Sequence, residues 1–432
     1  MKVMIRCLMF AVQLLCLSGI SNLASAEETN RYNAAALPGE TDADGMDQVD
    51  FYLHTVDVGH MIWDNFGHAA IRVVDHRNHS DLVYNWGQFE FSNPITFAVD
   101  FYRGFLYYKL GVYPNAVAMR IYRWENRSVW EDKLLLKPQE KAKLLAKLNW
   151  NNRPENQYYL YQYFFDNCST RPRDYIDEAI GGVLRERYSK VLSSKTFRDF
   201  VMEGYAPNPG MDVLLDFGMN SNIDRFATLY ETMFHPINAR QVLLDYTQEV
   251  RPLLSEGHKL VDAERPNSYP KMGYSFILLF GGVPLIPFGF WLFFQQKKAV
   301  PSKALYRLFG AFSSVWLGLG GFFGFLMALS WGFSGHLDLH HNANMLLFWP
   351  IDGFAFAIAF GIFLKGQPLV LKPGFWTFAR AYFLLHIVVS ILLPCLRMVG
   401  VIAQNVDSVS VFLLPPYVVI LFLLFRVGFR KS

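Results

Sequence analysis

The region after Lys271 contains five apolar segments, roughly 274–294, 308–331, 345–364, 381–398 and 409–425. Most approach the ~20 residues that an α-helix needs to cross a bilayer core. In hydrocarbon each spanning segment must satisfy its own backbone polar groups. The sequence therefore predicts an all-α, five-helix transmembrane domain over 271–432. Charge orients it. The loop 295–307 carries Lys297, Lys298, Lys303 and Arg307, the loop 365–380 carries Lys365, Lys372 and Arg380, and the tail carries Arg426, Arg430 and Lys431. The loops 334–344 and 399–408 hold no Lys or Arg, and Arg397 is a mild exception near the outer end of the fourth segment. Basic loops stay in the cytoplasm, so the portion before Lys271 is expected outside.

The N-terminus asks for the same side. Lys2 and Arg6 precede an apolar stretch, and Ala24-Ser25-Ala26 supplies a small-residue cleavage pattern, so residues 1–26 read as a secretory signal. Residues 27–49 read as a flexible lead-in. Cysteine usage then becomes informative. Cys7 and Cys16 fall in the signal and Cys395 in an apolar segment, which leaves Cys168 alone in an exported domain. No disulfide framework is available to it. A solitary exported cysteine is either inert and buried or kept for its reactivity. A formal net charge of +3 is too small to suggest a nucleic-acid partner, no basic tract supports one, and none is expected.

The exported part divides in two. Residues 50–190 form an α+β domain rich in strand signals, and 191–270 form a helical, membrane-proximal extension. "HAAIRVV" alternates, which places His68, Ala70 and Arg72 on one face of a strand. "DLVYNWGQFEF" reads as a second strand punctuated by Gly87, and Pro138 opens an amphipathic helix.

The aromatic run "YYLYQYFFDNCSTRPRD" breaks at Asp166-Asn167-Cys168. Cys168, Pro172, Ile176 and Ala179 then share one helical stripe, with Gly181-Gly182 as the stop. Asn167, Ser169 or Thr170 can cap this helix, and Pro172 fits only in its first turn. Cys168 is thus expected at a helix N-terminus, where the helix end, Arg171 and Arg173 would stabilise a thiolate. First-turn N–H groups there can receive an oxyanion. A thiolate nucleophile needs a base. His68, in "NFGHAAIRV", has a preceding glycine and following alanines that leave room around it. His54 and His60 lack such a setting.

The blocks "FGHAAIRV", "YNWGQFEF", "FYRGFLYY", "YFFDNCSTRPRD" and "MDVLLDFGMNSNIDRFATLYETMFHP" occur in this order. Together they resemble the bacterial lipoprotein N-acyltransferase family of the Lnb type. The resemblance implies a permuted papain-like periplasmic domain followed by a transmembrane domain. It maps Cys168 to the nucleophile and His68 to the base. Pro172 departs from the pattern, where an aliphatic residue is expected. A third, orienting group completes such sites. Asn85 is the choice, with His76 and His79 as alternatives.

A thiol site fused to membrane helices points to a lipid substrate. The expected reaction moves an acyl chain from a glycerophospholipid through a Cys168 thioester to the N-terminal amine of a diacylglyceryl or lyso-lipoprotein acceptor, in the inner membrane with the catalytic domain in the periplasm. No cofactor is required. Arg171 is a candidate for the donor phosphate, with a salt bridge to a carboxylate such as Asp174 as the alternative. Trp86, Arg103 and Tyr107, in the aromatic blocks, are candidates to line an acyl channel, with core packing of the aromatic cluster as the alternative. His336, His340 and His341 with Asp338 lack the Glu of a helical zinc motif, and no metal is expected. The competing function is a membrane-anchored cysteine hydrolase, either a lipid deacylase or a cell-wall peptide amidase.

Overall fold

The computed structural model describes residues 43–427 except 60, 90–92, 249–250, 264–280, 283–284, 296–301 and 368–372. Residues 1–26, read as a secretory signal, His60 and residues 274–280 and 283–284 of the first apolar segment lie outside the described residues. The chain divides into two compact units, one holding residues up to Lys195 together with Phe226–Ser268, the other Thr196–Arg225 together with Tyr269–Ser432. The stretch 191–270, read from sequence as one extension, is therefore shared between the two units.

The first unit is built on seven antiparallel strands. They are β1 (Val49–Val56), β2 (His68–Asp75), β3 (Ser80–Phe89), β4 (Tyr107–Pro114), β5 (Val129–Leu134), β6 (Tyr158–Leu160) and β7 (Leu254–Val261), in the sheet order β7-β5-β1-β2-β3-β4-β6. Helix α1 (Pro94–Arg103) joins β3 to β4, α2 (Asn115–Trp124) joins β4 to β5, and α3 (Pro138–Asn151) and α4 (Thr170–Ala179) flank β6.

Both faces of the sheet are covered. Phe51, Ile71, Val73, Tyr84 and Trp86 pack on one side with Leu144 and Leu148 of α3 and Ile176 of α4. Val56, Ala70, Val83 and Tyr113 pack on the other with Ala118, Met119 and Tyr122 of α2. Strand residues alternate between faces. The odd-numbered apolar residues of β2 therefore enter the first core, while His68, Ala70 and Arg72 face α2. Burying large apolar side chains on both faces, at ~1.5–3 kcal/mol each, makes the central strands a rigid platform for groups at their ends.

The second unit holds α5 (Phe197–Gly204), α6 (Pro209–Gly218), α8 (Leu285–Gln295), α9 (Lys303–Phe333), α10 (Asp352–Lys365), α11 (Pro373–Met398) and α12 (Asp407–Val427); α7 (Pro236–Asp245) belongs to the first unit. Among the described residues three stretches, Lys303–Phe333, Gly374–Met398 and Asp407–Phe425, are long and apolar enough to cross a membrane. The apolar stretch 345–364 is not one continuous helix. Its helix starts only at Asp352 and is 14 residues, or about 21 Å, long.

The reason is local. Pro350 has no N–H to give, and the preceding segment is tied down by side chains. Asn342 Nδ2 donates to Phe217 O (3.0 Å) and Gly218 O (2.8 Å), and Asn344 Nδ2 also donates to Phe217 O at 3.0 Å. Non-helical backbone among apolar helices persists where protein groups satisfy it in this way.

The histidine loop is likewise engaged. His340 Nε2 lies 2.7 Å from Ser334 O, His341 packs on Trp331 at 4.8 Å between ring centroids, and Asn220 Nδ2 donates to Leu337 O at 2.8 Å.

Candidate active site

The seam at Asp166–Thr170 is fixed by one side chain. Asn167 Oδ1 accepts from Ser169 N (2.7 Å) and Thr170 N (2.9 Å), and its Nδ2 donates to Tyr163 O (2.8 Å) and Phe234 O (3.1 Å). Ser169 Oγ donates to Met233 O at 2.7 Å. Of the three cap candidates, Asn167 does the capping, and Pro172 falls in the first turn of α4 where its missing N–H costs nothing. Cys168 stands two residues before the helix starts and is half-buried. The N–H of Ala69, the residue after His68, points to its sulfur.

His68 opens β2. Its Nε2 lies 3.0 Å from Asn85 Oδ1 on the neighbouring strand. The amide of Asn85 is oriented by two phenols, since its Nδ2 donates to Tyr113 OH (2.5 Å) and Tyr122 OH (3.4 Å). With the amide nitrogen committed there, Oδ1 faces the imidazole. An amide oxygen only accepts, so Nε2 carries the proton and Nδ1 is left as the basic nitrogen. Gly87 makes room for this pair. A Cβ at that position would stand 2.9 Å from His68 Cε1 and 3.4 Å from Asn85 Oδ1.

Arg127 is the nearby cation. The turn from α2 into β5 passes through Asn126 in the left-handed region (φ 50°), and Arg127 N returns to Tyr122 O at 3.0 Å. The buried guanidinium donates to Asp57 O (2.8 Å), Asp64 Oδ1 (3.1 Å) and Glu125 Oε2 (3.3 Å).

At rest the site is neutral. Burial pushes the Cys168 thiol up to about 11, against the Ala69 N–H and Arg127, which pull it down. This reverses the expectation of a thiolate primed by the helix end. The cost of desolvating a charged sulfur exceeds the gain from the helix dipole, which is ~0.3–1 kcal/mol at exposed sites. Burial also holds His68 down at about 3, with Arg127 acting in the same direction and Asn85 opposing. The imidazole is therefore an unprotonated base at neutral pH.

The other sequence candidates are dispersed. Trp86 is fully buried in the first core, with Nε1 donating to Asn151 Oδ1 at 2.7 Å. It packs the domain core. The Arg171 fork closes on Asp166 at 2.5 and 2.7 Å and stacks 4.1 Å over the Tyr159 ring. Its carboxylate partner is therefore Asp166; Asp174 pairs with Arg173 at 2.8 Å. Nε and Nη2 of Arg171 are thus engaged with Asp166. Arg103 and Tyr107 lie on the surface.

His54 is buried with Nε2 on Glu131 Oε2 at 2.7 Å, in an ion-pair network with Arg72. His76 reaches Asp50 at 3.2 Å, and His79 occupies a left-handed turn position (φ 51°). Neither shares the His68 hydrogen bond, which belongs to Asn85. Sequence reasoning missed Tyr113, Tyr122 and Arg127. Only Tyr113 left a signal, because alternation along "YYKLGVYP" puts it on the face of Gly111, which pairs with Asn85.

Residues 39–200 match the family model of the Lnb N-terminal periplasmic domain. The match supports the Lnb-type family. The Lnb span contains His68, Asn85 and Cys168 and ends before the membrane-length helices. No curated protein and no solved structure matches the chain. The Lnb match and the three apolar helices together describe a membrane protein with a periplasmic domain.

Proposed function

We propose that the chain is a lipoprotein N-acyltransferase of the inner membrane, multi-pass, with its catalytic domain in the periplasm. The observations that carry this reading are the His68–Asn85 hydrogen bond and the N–H of the next residue, Ala69, directed at the Cys168 sulfur, within the Lnb-matched span. Cys168 is the nucleophile, His68 the base and Asn85 the orienting group. The sulfur attacks the ester carbonyl of a glycerophospholipid while His68 Nδ1 takes the thiol proton. Because burial disfavours a free thiolate and a free imidazolium alike, attack and proton transfer proceed together. The tetrahedral intermediate collapses to a Cys168 thioester, and the proton on Nδ1 passes to the departing alkoxide of the lysophospholipid. The free α-amine of a diacylglyceryl-cysteine, or of a lyso-lipoprotein, then attacks the thioester. His68 receives the amine proton and returns it to the leaving sulfur as the amide forms. Atoms and charge balance with no cofactor.

The test uses full-length protein in detergent or nanodiscs with a phospholipid of defined acyl chain. Intact mass should show one acyl adduct on Cys168. A diacylglyceryl lipopeptide should discharge it to an N-acylated product. Discharge to water alone would overturn the transferase reading in favour of the lipid deacylase, and an unmodified Cys168 would overturn both.

A further inference from the structure

Helix α1 is well started and well stopped, yet no described residue in it is buried. Asn93 Oδ1 accepts from Ile95 N (2.9 Å) and Thr96 N (3.3 Å), and Pro94 occupies the first turn. Its sequence, PITFAVDFYR, is apolar on two sides. Phe97 and Phe101 form one stripe, and Phe97 meets Phe89 of β3 at 5.4 Å between centroids. Ile95, Ala98, Val99 and Tyr102 form the outward stripe. Ile95 is 70% exposed and Val99 48%, and Tyr107, just beyond the helix, is 60% exposed. A ten-residue helix is marginal in water by itself, and an apolar stripe of this kind is normally covered.

The chemistry around the stripe favours lipid as its cover. The polar stripe is narrow, Thr96, Asp100 and Arg103, and the Arg103 guanidinium rides 5.0 Å over the Phe105 ring. An apolar face bordered by aromatics and a cation is the composition of a helix lying in a bilayer interface. The same chain carries three helices of membrane length. The patch is also continuous with the candidate site. Phe89 contacts Phe97, Tyr108 (4.9 Å) and Trp63 (6.5 Å), and it lies two residues beyond Gly87, which faces His68.

We infer that α1, with Phe105 and Tyr107, is a membrane-contact surface: Ile95 and Val99 lie among acyl chains, Arg103 lies at headgroup level, and the Phe89–Phe97–Tyr108 cluster leads from this surface to the site. The contact stands on the exposed stripe alone; only the role as an entry path for the acyl ester rests on the transferase reading.

The experiment places a photoreactive benzoylphenylalanine at Ile95 or Val99 of the full chain, in nanodiscs of phosphatidylethanolamine and phosphatidylglycerol, with Lys143 on α3 as the exposed control. Irradiation should give phospholipid adducts at 95 and 99 and several-fold fewer at 143, and Val99→Asp should remove most of the adduct at 95. The same adducts should form in a Cys168→Ser background, so loss of acyl transfer and loss of membrane contact are read separately. Lipid labelling at 95 and 99 no higher than at 143, or cross-links to another polypeptide or a second copy in place of lipid, would overturn the inference.

Discussion

His68 Nε2 and Asn85 Oδ1 lie 3.0 Å apart on adjacent antiparallel strands, and the Asn85 amide is turned toward the imidazole by Tyr113 and Tyr122. Asn85→Ala removes the acceptor that fixes the His68 tautomer, and with it the amide that donates to the Tyr113 and Tyr122 hydroxyls. Acylation of Cys168 should slow by about a hundredfold, within the range attributed to a positioned acid or base. Tyr113→Phe should give a smaller decrease, because it loosens the amide and keeps the His68 contact. Rates of acyl-adduct formation by mass spectrometry check both. An Asn85→Ala protein acylated at the original rate would remove Asn85 from the site.

The neutral resting pair has a pH signature. With the thiol held up at about 11, roughly one Cys168 in ten thousand is thiolate at pH 7. Iodoacetamide labelling of Cys168 should therefore be slow at pH 7 and still be rising through pH 10, well above an ordinary cysteine. Because His68 is held down at about 3, protonation of its imidazole should contribute no labelling step between pH 5 and 7. A plateau below pH 7 would instead reveal a thiolate–imidazolium pair.

Gly87→Ala tests the space beside the imidazole. The new Cβ would stand 2.9 Å from His68 Cε1, closer than real contacts allow, so the ring must move. Acylation should fall at least tenfold while the melting temperature changes little, since Gly87 lies at a β3–β4 register shift and outside both sheet cores. Unchanged acylation would mean that His68 can shift without cost.

His68 and Cys168 could be singled out in the sequence because each stood in a sharp local signal: a glycine-flanked histidine on an alternating strand, and a cysteine where an aromatic run gives way to a capped helix. What the sequence left open depended on distant packing. Trp86 in an aromatic strand reads alike whether it fills a core or lines a channel, and only the position of Asn151, 65 residues away, decides it. For Arg171, the sequence offered a neighbouring carboxylate such as Asp174. The actual partner, Asp166, precedes the helix, where the chain has already turned. The stretch 345–364 has uniform hydropathy, and its interruption is set by Asn342 and Asn344 reaching Phe217, a contact across more than a hundred residues. The thiol expectation had the right local field and omitted the larger desolvation cost, which composition does not display.

Arg198 organises the part of the second unit that precedes the membrane helices. Its buried guanidinium donates to Asp216 Oδ1 (2.9 Å), to Asp224 (2.6 and 3.0 Å) and to the carbonyls of Met219 and Asn220. Arg198→Ala leaves two carboxylates without their cation and should cost about 3–5 kcal/mol. Arg198→Lys should recover little, because an ammonium cannot reproduce the planar fork. Thermal unfolding of the full chain in detergent reads the loss, and a lysine variant with wild-type stability would refute the geometric argument.

Asp352 is a fully buried carboxylate among the apolar helices. It accepts from Tyr382 OH at 2.5 Å and Tyr417 OH at 3.3 Å, and His386 Nε2 lies 3.3 Å away. Helix α9 comes close enough that a Cβ on Gly320 would stand 2.4 Å from Asp352 Oδ2. The carboxylate thus joins α9, α10, α11 and α12 at one point, and at the first turn of α10 it also meets the positive end of that helix. Ionisable groups among membrane helices persist when paired in this way. Asp352→Ala leaves both phenols without their acceptor and should destabilise the protein by roughly 1–3 kcal/mol. Asp352→Asn keeps an acceptor oxygen and should cost less. Gly320→Ala should also destabilise, by pressing on the carboxylate. Melting temperatures of the three variants in one detergent give the ranking, and an Asp352→Ala protein as stable as the Asn variant would show that these hydrogen bonds do not hold the helices together.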